Sequence, residues 1–326
     1  MAATITDPQW APVRALCEEI HMPQRAVDAL VGVYAEPRSS GLAELRRYVE
    51  PLSCGDYAQA QAASKELLAR TGIPNVFVTA PDTAVTVLAV YLEAALRAWE
   101  TVYVPRGIGR DVFAATMANM ALFMGERIAA YDDVLFDRSW WCGQYTSGRQ
   151  YRIGMLNFEM AVSDGTWGDG APASVSDGES SEAGEAGDGG EAACPFPAGT
   201  RLLHIHIPSD ADLDPERTHA SYRMAREFFA RYYPQWAAAP MVTETWLLSP
   251  AVHAMLRPGS RILAFAGDFE VLHVNAAVDE GSFFVFGRSD LPVDRLPRRT
   301  SLQRAAAELI GSGGHIGVAF GRLKVA

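Results

Sequence analysis

The sequence predicts an α+β protein, with a helical N-terminal domain over residues 1–132 and a mixed α/β sheet domain over residues 133–326. Three observations predict it. The 326 residues are 49% hydrophobic and 21% charged, a globular balance, and their number suits about two domains of ~150 residues. As far as Ala130, apolar residues recur at the three- and four-residue spacing of helices buried on one side. Beyond Trp140 they gather into short runs rich in β-branched and aromatic residues, bounded by Gly, Pro and Asp.

In the helical half, PVRALCEEI, QRAVDALVGVY, LAELRRYV and DYAQAQAASKELLAR read as helices. Longer ones follow at 82–101 and 109–130, separated by the breaker Pro105-Arg106-Gly107-Ile108-Gly109. In the second half 151–162, 201–208, 241–248, 261–267, 269–278 and 282–287 read as strands, with 315–323 as a last one. Helices are expected at 215–232, 250–256 and 301–311. Asp214 is a good N-cap ahead of Pro215, and Thr300 with Gln303 forms a capping box. Residues 163–199, almost wholly Gly, Ala, Ser, Asp and Glu, read as a disordered acidic loop, because they bury too little apolar surface to offset their ordering entropy.

Charge and composition exclude several classes of function. The net charge is −11, yet Asp164 to Glu191 hold eight acids and no base, so the rest of the chain is close to neutral. No basic footprint for nucleic acid follows, and none is expected as a partner. The four cysteines, Cys17, Cys54, Cys142 and Cys194, form no CxxC pair, which excludes a zinc ribbon or a dithiol redox centre. The most apolar long run, Ala84 to Trp99, is broken by Glu93 and Arg97 and falls short of the ~20 residues of a membrane span. Residues 1–25 carry acids and prolines where a signal peptide needs an apolar core. A cytoplasmic protein without a membrane partner is expected.

Three places carry candidate chemistry. Strand alternation puts Tyr151, Ile153, Met155, Asn157 and Glu159 on one face of 151–162. Glu159 is then a carboxylate late in an apolar strand, where desolvation favours its taking up a proton, as a general base must. Its other reading is a solvated residue or the partner of an arginine. In RLLHIHIP, His204 and His206 share a face about 7 Å apart. That pair fits two metal ligands, an acid–base residue with its neighbour, or two structural histidines. No third ligand is placed by spacing, so no metal is expected. The following loop, Pro208 to Asp214, leads into a helix N-terminus but has three aspartates and no glycine, which opposes a phosphate. In MVTETWLL, Val242, Glu244, Trp246 and Leu248 share a face, and Trp246 serves as core or as a substrate contact. No P-loop, GxSxG elbow or dinucleotide fingerprint is present.

Several segments together resemble a bacterial family of acyltransferase-domain proteins that join a helical N-acyltransferase N-terminal domain to a GNAT-like C-terminal domain. They are Tyr151 to Glu159, Leu203 to Pro208, Leu213 to Glu216, Thr245 to Pro250, Leu256 to Ile262 and Leu296 to Arg304, in family order, with Gly107-Ile108 and Trp141 upstream. The resemblance implies an enzyme that moves an acyl group from a thioester, acyl-CoA or acetyl-CoA, to a small-molecule amine or peptide acceptor. It implies Glu159 as base, with His206 as its partner or a substrate contact. His204 and Trp246 are the expected substrate contacts, and no cofactor-binding residue is named. Met155 stands where the family has arginine, and the RGxG phosphate loop of GNAT folds is replaced by the aspartate-bearing loop. Two other functions compete: a catalytically inactive GNAT-like scaffold for a small ligand or partner, and a metal-dependent hydrolase or lyase using His204 and His206. Geometry separates them, because an acyltransferase needs Glu159 and His206 facing one cleft beside a gap between the strands near 205–208 and 242–247.

Overall fold

A computed structural model describes residues 5–72, 84–167, 194–278, 281–288 and 290–324. It divides into two compact units, one of Met1–Ile153 with Pro208–Asp210, the other of Gly154–Ile207 with Ala211–Ala326. The boundary expected between residues 132 and 133 therefore precedes the division of the structure, which follows Ile153. The helix Ser139–Thr146, buried along most of its length, still belongs to the first unit.

The first unit is helical, with main helices Trp10–Glu19, Gln24–Ala35, Tyr57–Thr71, Ala84–Ala98, Arg110–Tyr131 and Ser139–Thr146. Local chemistry sets their ends: the Asp56 side chain accepts from the Gln59 N–H, and Gly72 closes the same helix in the left-handed region at φ 65°. Ala84–Ala98 is buried almost all round and forms the centre of the unit. Glu93 within it is 6% exposed and accepts from Tyr34 Oη at 3.0 Å and from Arg46, which also holds Asp7 at 2.8 Å. A buried carboxylate is tolerated there because it is paired and hydrogen-bonded. Past Ala98 the helix widens into a π turn at Trp99–Tyr103. The unit ends in a short strand, β1 (Gln150–Ile153).

The second unit is built on β2 (Leu156–Val162), β3 (Arg201–His206), β4 (Met241–Thr245), β5 (Phe269–Asn275) and β6 (Val318–Leu323). Their order is β2-β3-β4-β6-β5, antiparallel except for the parallel pair β3–β4. The helix Pro215–Tyr232 makes the crossover that a parallel pair requires. Asp214 caps it, accepting from the Glu216 and Arg217 N–H groups, and Thr218, Ser221, Tyr222, Ala225, Phe228 and Phe229 form its buried face. A second cluster, Val252, Val285, Phe286, Ala306, Ala307 and Ile316, packs the later helices together, and the expected capping box of Thr300 and Gln303 is formed.

Three expectations are corrected. Residues 151–162 form two strands, because Gly154 turns the chain at φ 64°, where a Cβ would also collide with Ser221. RILAFAG is a helix, Arg261–Gly267, started by the Ser260 side chain accepting from the Ile262 N–H; SFFVFG lies in another, Gly281–Phe286. Apolar runs of this length fit a strand or a buried helix equally well, and here the cap decides. Most of the acidic segment, 168–193, lies outside the described residues. Its two flanks are ordered: Ser163 and Thr200 join by a backbone hydrogen bond of 2.9 Å, and Phe196 is 5% exposed against Leu202 and Val242. Among the described residues no helix is long and apolar enough to cross a membrane.

Candidate functional site

The site lies on one face of the second unit's sheet. Register fixes which side chains share it, since residues directly opposite point the same way. Asn157 stands opposite His206, and Glu159 opposite His204. His204 stands opposite Val242 in turn, so Glu244, two residues on, joins the same face. Glu244 is paired with Phe320, and Phe320 with His273. Neighbouring rungs of one face thus hold Glu159 with His204, Asn157 with His206, and Glu244 with Phe320 and His273.

Glu159 is wholly buried and bonds through Oε2 to His206 Nε2 at 2.8 Å. The His206 side chain keeps 18% of its surface exposed. A carboxylate accepts only, so the bond draws the imidazole proton to Nε2 and makes Nδ1 the basic nitrogen. The His204 ring stacks on His206 at 4.5 Å between centroids and 28° between planes. Glu159, His204 and His206 each offer a ligand atom within 4.8 Å of the others, which makes them the group among the described residues that can hold a metal ion. Two of their nitrogens already have protein partners: His206 Nε2 is on Glu159, and His204 Nε2 accepts from the Glu244 N–H at 3.1 Å.

That last bond marks where β3 and β4 part. Their register holds over two pairs, Leu203 with Met241 and His204 with Val242, and the Leu203 N–H donates to the Pro240 carbonyl at 2.9 Å. A continued parallel ladder would send the Glu244 N–H to the Ile205 carbonyl. Instead each half of that bond takes a side-chain partner: His204 Nε2 receives the N–H, and the Thr243 hydroxyl donates to the Ile205 carbonyl at 2.9 Å. Ile205 is wholly buried and its carbonyl needs a partner, and with the Glu244 N–H also taken by a side chain the strands can separate. The Leu203 N–H points to β4, and the same alternation carried one residue beyond the end of β3 at His206 would give the Ile207 N–H that side too. Pro208 follows and holds Ile207 extended.

Each expected site residue now has a place. Glu159 and His206 are brought together, beside the expected gap between strands. His204 lies next to them, its Nε2 committed to the backbone of β4. Trp246, half-buried, packs against the cluster around Val252 and Ile316. Thr243, Glu244 and the Ile207 amide were not singled out. For Thr243 and Glu244 the signal was the polar run Thr243-Glu244-Thr245 that completes a strand begun by Met241-Val242; for Ile207 it was the proline after it. The three aspartates of the 208–214 loop are offset locally. Arg152 holds both oxygens of Asp210 at 2.9 Å, and Arg217 and Arg261 face Asp212. The Asp214 N–H bonded to Asp212, with those arginines beside it, keeps the Asp212 carboxyl below its ordinary range.

Residues 11–148 match the N-acyltransferase N-terminal domain and residues 150–323 match the GNAT-like C-terminal domain. The chain belongs to that two-domain family. No curated protein matches it. Solved structures do. An acyltransferase in complex with decanoyl-CoA is 23% identical at a TM-score of 0.70, the match covering 96% of this chain and 88% of that one. The complex of an acyltransferase with decanoyl-CoA and teicoplanin is 22% identical at 0.71, with coverage of 96% and 88%. An acyltransferase mutant with octanoyl-CoA is 22% identical at 0.74, covering 97% and 88%. At these identities the likeness establishes the fold.

Proposed function

We propose that the chain is an N-acyltransferase that moves the acyl group of an acyl-CoA thioester to an amine. The observation that carries this is the break between β3 and β4, placed beside the Glu159–His206 pair. A thioester lying in the break meets the Ile207 N–H, which donates to the carbonyl oxygen as that oxygen gains charge in the tetrahedral intermediate. The amine nitrogen bonds to the carbonyl carbon and gives its proton to His206 Nδ1. Collapse breaks the carbon–sulfur bond, and the leaving CoA thiolate takes the proton back from the imidazolium.

Glu159, fully buried, does not reach the amine. It acts through His206, fixing the tautomer and stabilising the imidazolium, so it is a positioning residue and His206 is the base. This exchanges the two roles that the family resemblance implied. Acyl-CoA in the related structures supports the donor, and teicoplanin in one of them supports a small-molecule or peptide-like acceptor.

The test is a thermal melt of the full chain with acetyl-, octanoyl- and decanoyl-CoA, followed by thiol release on adding amines. A bound donor at a hundred times its Kd adds about 2.7 kcal/mol to stability by mass action, a shift of several degrees at most. No shift with any of the three thioesters, and no thiol release, would refute the proposal.

A further inference from the structure

We propose that His204 is a positioning residue for the base: one edge of its ring is bonded to β4 at the strand break, its face lies on His206, and its own proton sits on the opposite ring nitrogen from that of His206. This rests on the acyl-transfer reading above, and it replaces the substrate contact that the family resemblance implied for His204.

The edge of the ring sets its tautomer. His204 Nε2 accepts from the Glu244 N–H at 3.1 Å. A ring nitrogen that accepts a hydrogen bond holds a lone pair there, so the proton of neutral His204 is on Nδ1. In His206 the Glu159 carboxylate draws the proton to Nε2 instead. The two rings are thus of opposite tautomer, although they lie two residues apart on one strand. The register accounts for the difference. Glu159 stands opposite His204, yet its Oε2 bonds to His206, two residues further along β3. The Nε2 edge of His204 is turned to the other neighbour, β4, where the register ends at Val242 and the Glu244 N–H takes a side-chain acceptor.

The face of the ring sets the tilt of the base. His206 is the last residue of β3 and keeps 18% of its side-chain surface exposed. Its bond to Glu159 fixes one ring atom, and a single hydrogen bond tolerates a range of ring tilts about that point. The His204 ring, at 4.5 Å between centroids and 28° between planes, narrows that range by stacking. His204 is itself 9% exposed, so packing as well as the bond to β4 holds it still. Attack needs His206 Nδ1 within reach of the amine while the thioester lies in the break, and an error of about 1 Å between such groups costs ~10²-fold. His204 ties the two positions together, because the N–H that holds it belongs to the strand that parts from β3. A phenyl ring at this position would keep the stack and lose the bond, and a glutamine amide would keep the bond and lose the stack.

The experiment uses the full chain. With the histidine nitrogens isotopically labelled, proton–nitrogen correlation spectra of wild type at pH 7 should show His204 protonated on Nδ1 and His206 on Nε2, the signals being assigned by their loss in His204→Phe and His206→Gln. Thiol release is then followed with octanoyl-CoA and 2-phenylethylamine. His204→Phe and His204→Gln should each lower kcat about tenfold to a hundredfold, with the KM of both substrates kept within about twofold. In a His206→Gln background neither change should lower the remaining rate further, since a residue that acts through the base has nothing left to position. A merely structural role would cost the same factor in both backgrounds. His204 protonated on Nε2, a raised KM with kcat kept, or an equal loss in the His206→Gln background overturns the proposal and leaves acyl transfer standing. Opposite tautomers in wild type with no thiol release from octanoyl-CoA uphold the ring pair and count against acyl transfer.

Discussion

Replacing Glu159 by glutamine removes one charge at nearly constant volume. Glutamine still offers an oxygen to the His206 Nε2–H across the same 2.8 Å, so the ring stays in place. What is lost is the negative charge that stabilises the imidazolium as the amine is deprotonated. A positioned base contributes about 10²–10⁴-fold, so kcat should fall by that range, or ~3–5 kcal/mol of barrier. Thiol release from octanoyl-CoA at saturating amine reads this directly, with a thermal melt to show that the fold is kept. The pH dependence sharpens the test. Above about pH 10 an alkylamine is already neutral and needs less help from a base, so the deficit of Glu159→Gln should shrink there. His206→Gln should cost at least as much, and the double variant no more than the worse single one, because the two groups act as a unit. A kcat within twofold of wild type at pH 7, or a deficit that is flat with pH, would refute the assignment.

Other outcomes follow from the packing. Phe196→Ala removes a 5%-exposed ring from the cluster of Leu202 and Val242, and should lower stability by about 3 kcal/mol in denaturant melts. A loss under ~1 kcal/mol would show that this flank of the acidic segment does not pack. Thr243→Val leaves the Ile205 carbonyl without its 2.9 Å donor and should cost about 1–3 kcal/mol, with a further fall in kcat if the strand break closes. An unchanged melt and rate would remove Thr243 from the argument. The Arg46 guanidinium bonded to Asp7 holds its carboxyl below the ordinary 3.8. That group's contribution is therefore present above about pH 4 and fades as the pH falls through the lowered value. Asp7→Asn should destabilise at pH 7 and converge on wild type toward pH 2; a gap independent of pH would contradict the pairing.

The parts of the site differ in how far the sequence disclosed them. Period-two alternation was enough to place Glu159 on one face of its strand and His204 with His206 on one face of theirs. Whether those faces coincide depends on register across β2 and β3, a long-range quantity that no local pattern contains. The helices Arg261–Gly267 and Gly281–Phe286 were misread because their apolar runs, ILAFA and FFVF, are too short to show a period, although Ser260 offered a capping signal. Glu244 passed unnoticed, since a single acid in a strand is ordinary until the strand beside it is seen to peel away. The ordering of Phe196 was hidden by the composition around it, a lone ring at the end of a long polar stretch.

The short parallel seam has a mechanical meaning. With two paired positions joining β3 to β4, against six between β2 and β3, the sheet resembles two boards fastened by a narrow strap. Thermal breathing should concentrate at that strap, so amide hydrogens of residues 242–244 should exchange sooner than those in the middle of β2. A guest pressing into the crack would then meet a flexure already set into the plank, with the imidazole of His204 and the hydroxyl of Thr243 acting as its two rivets.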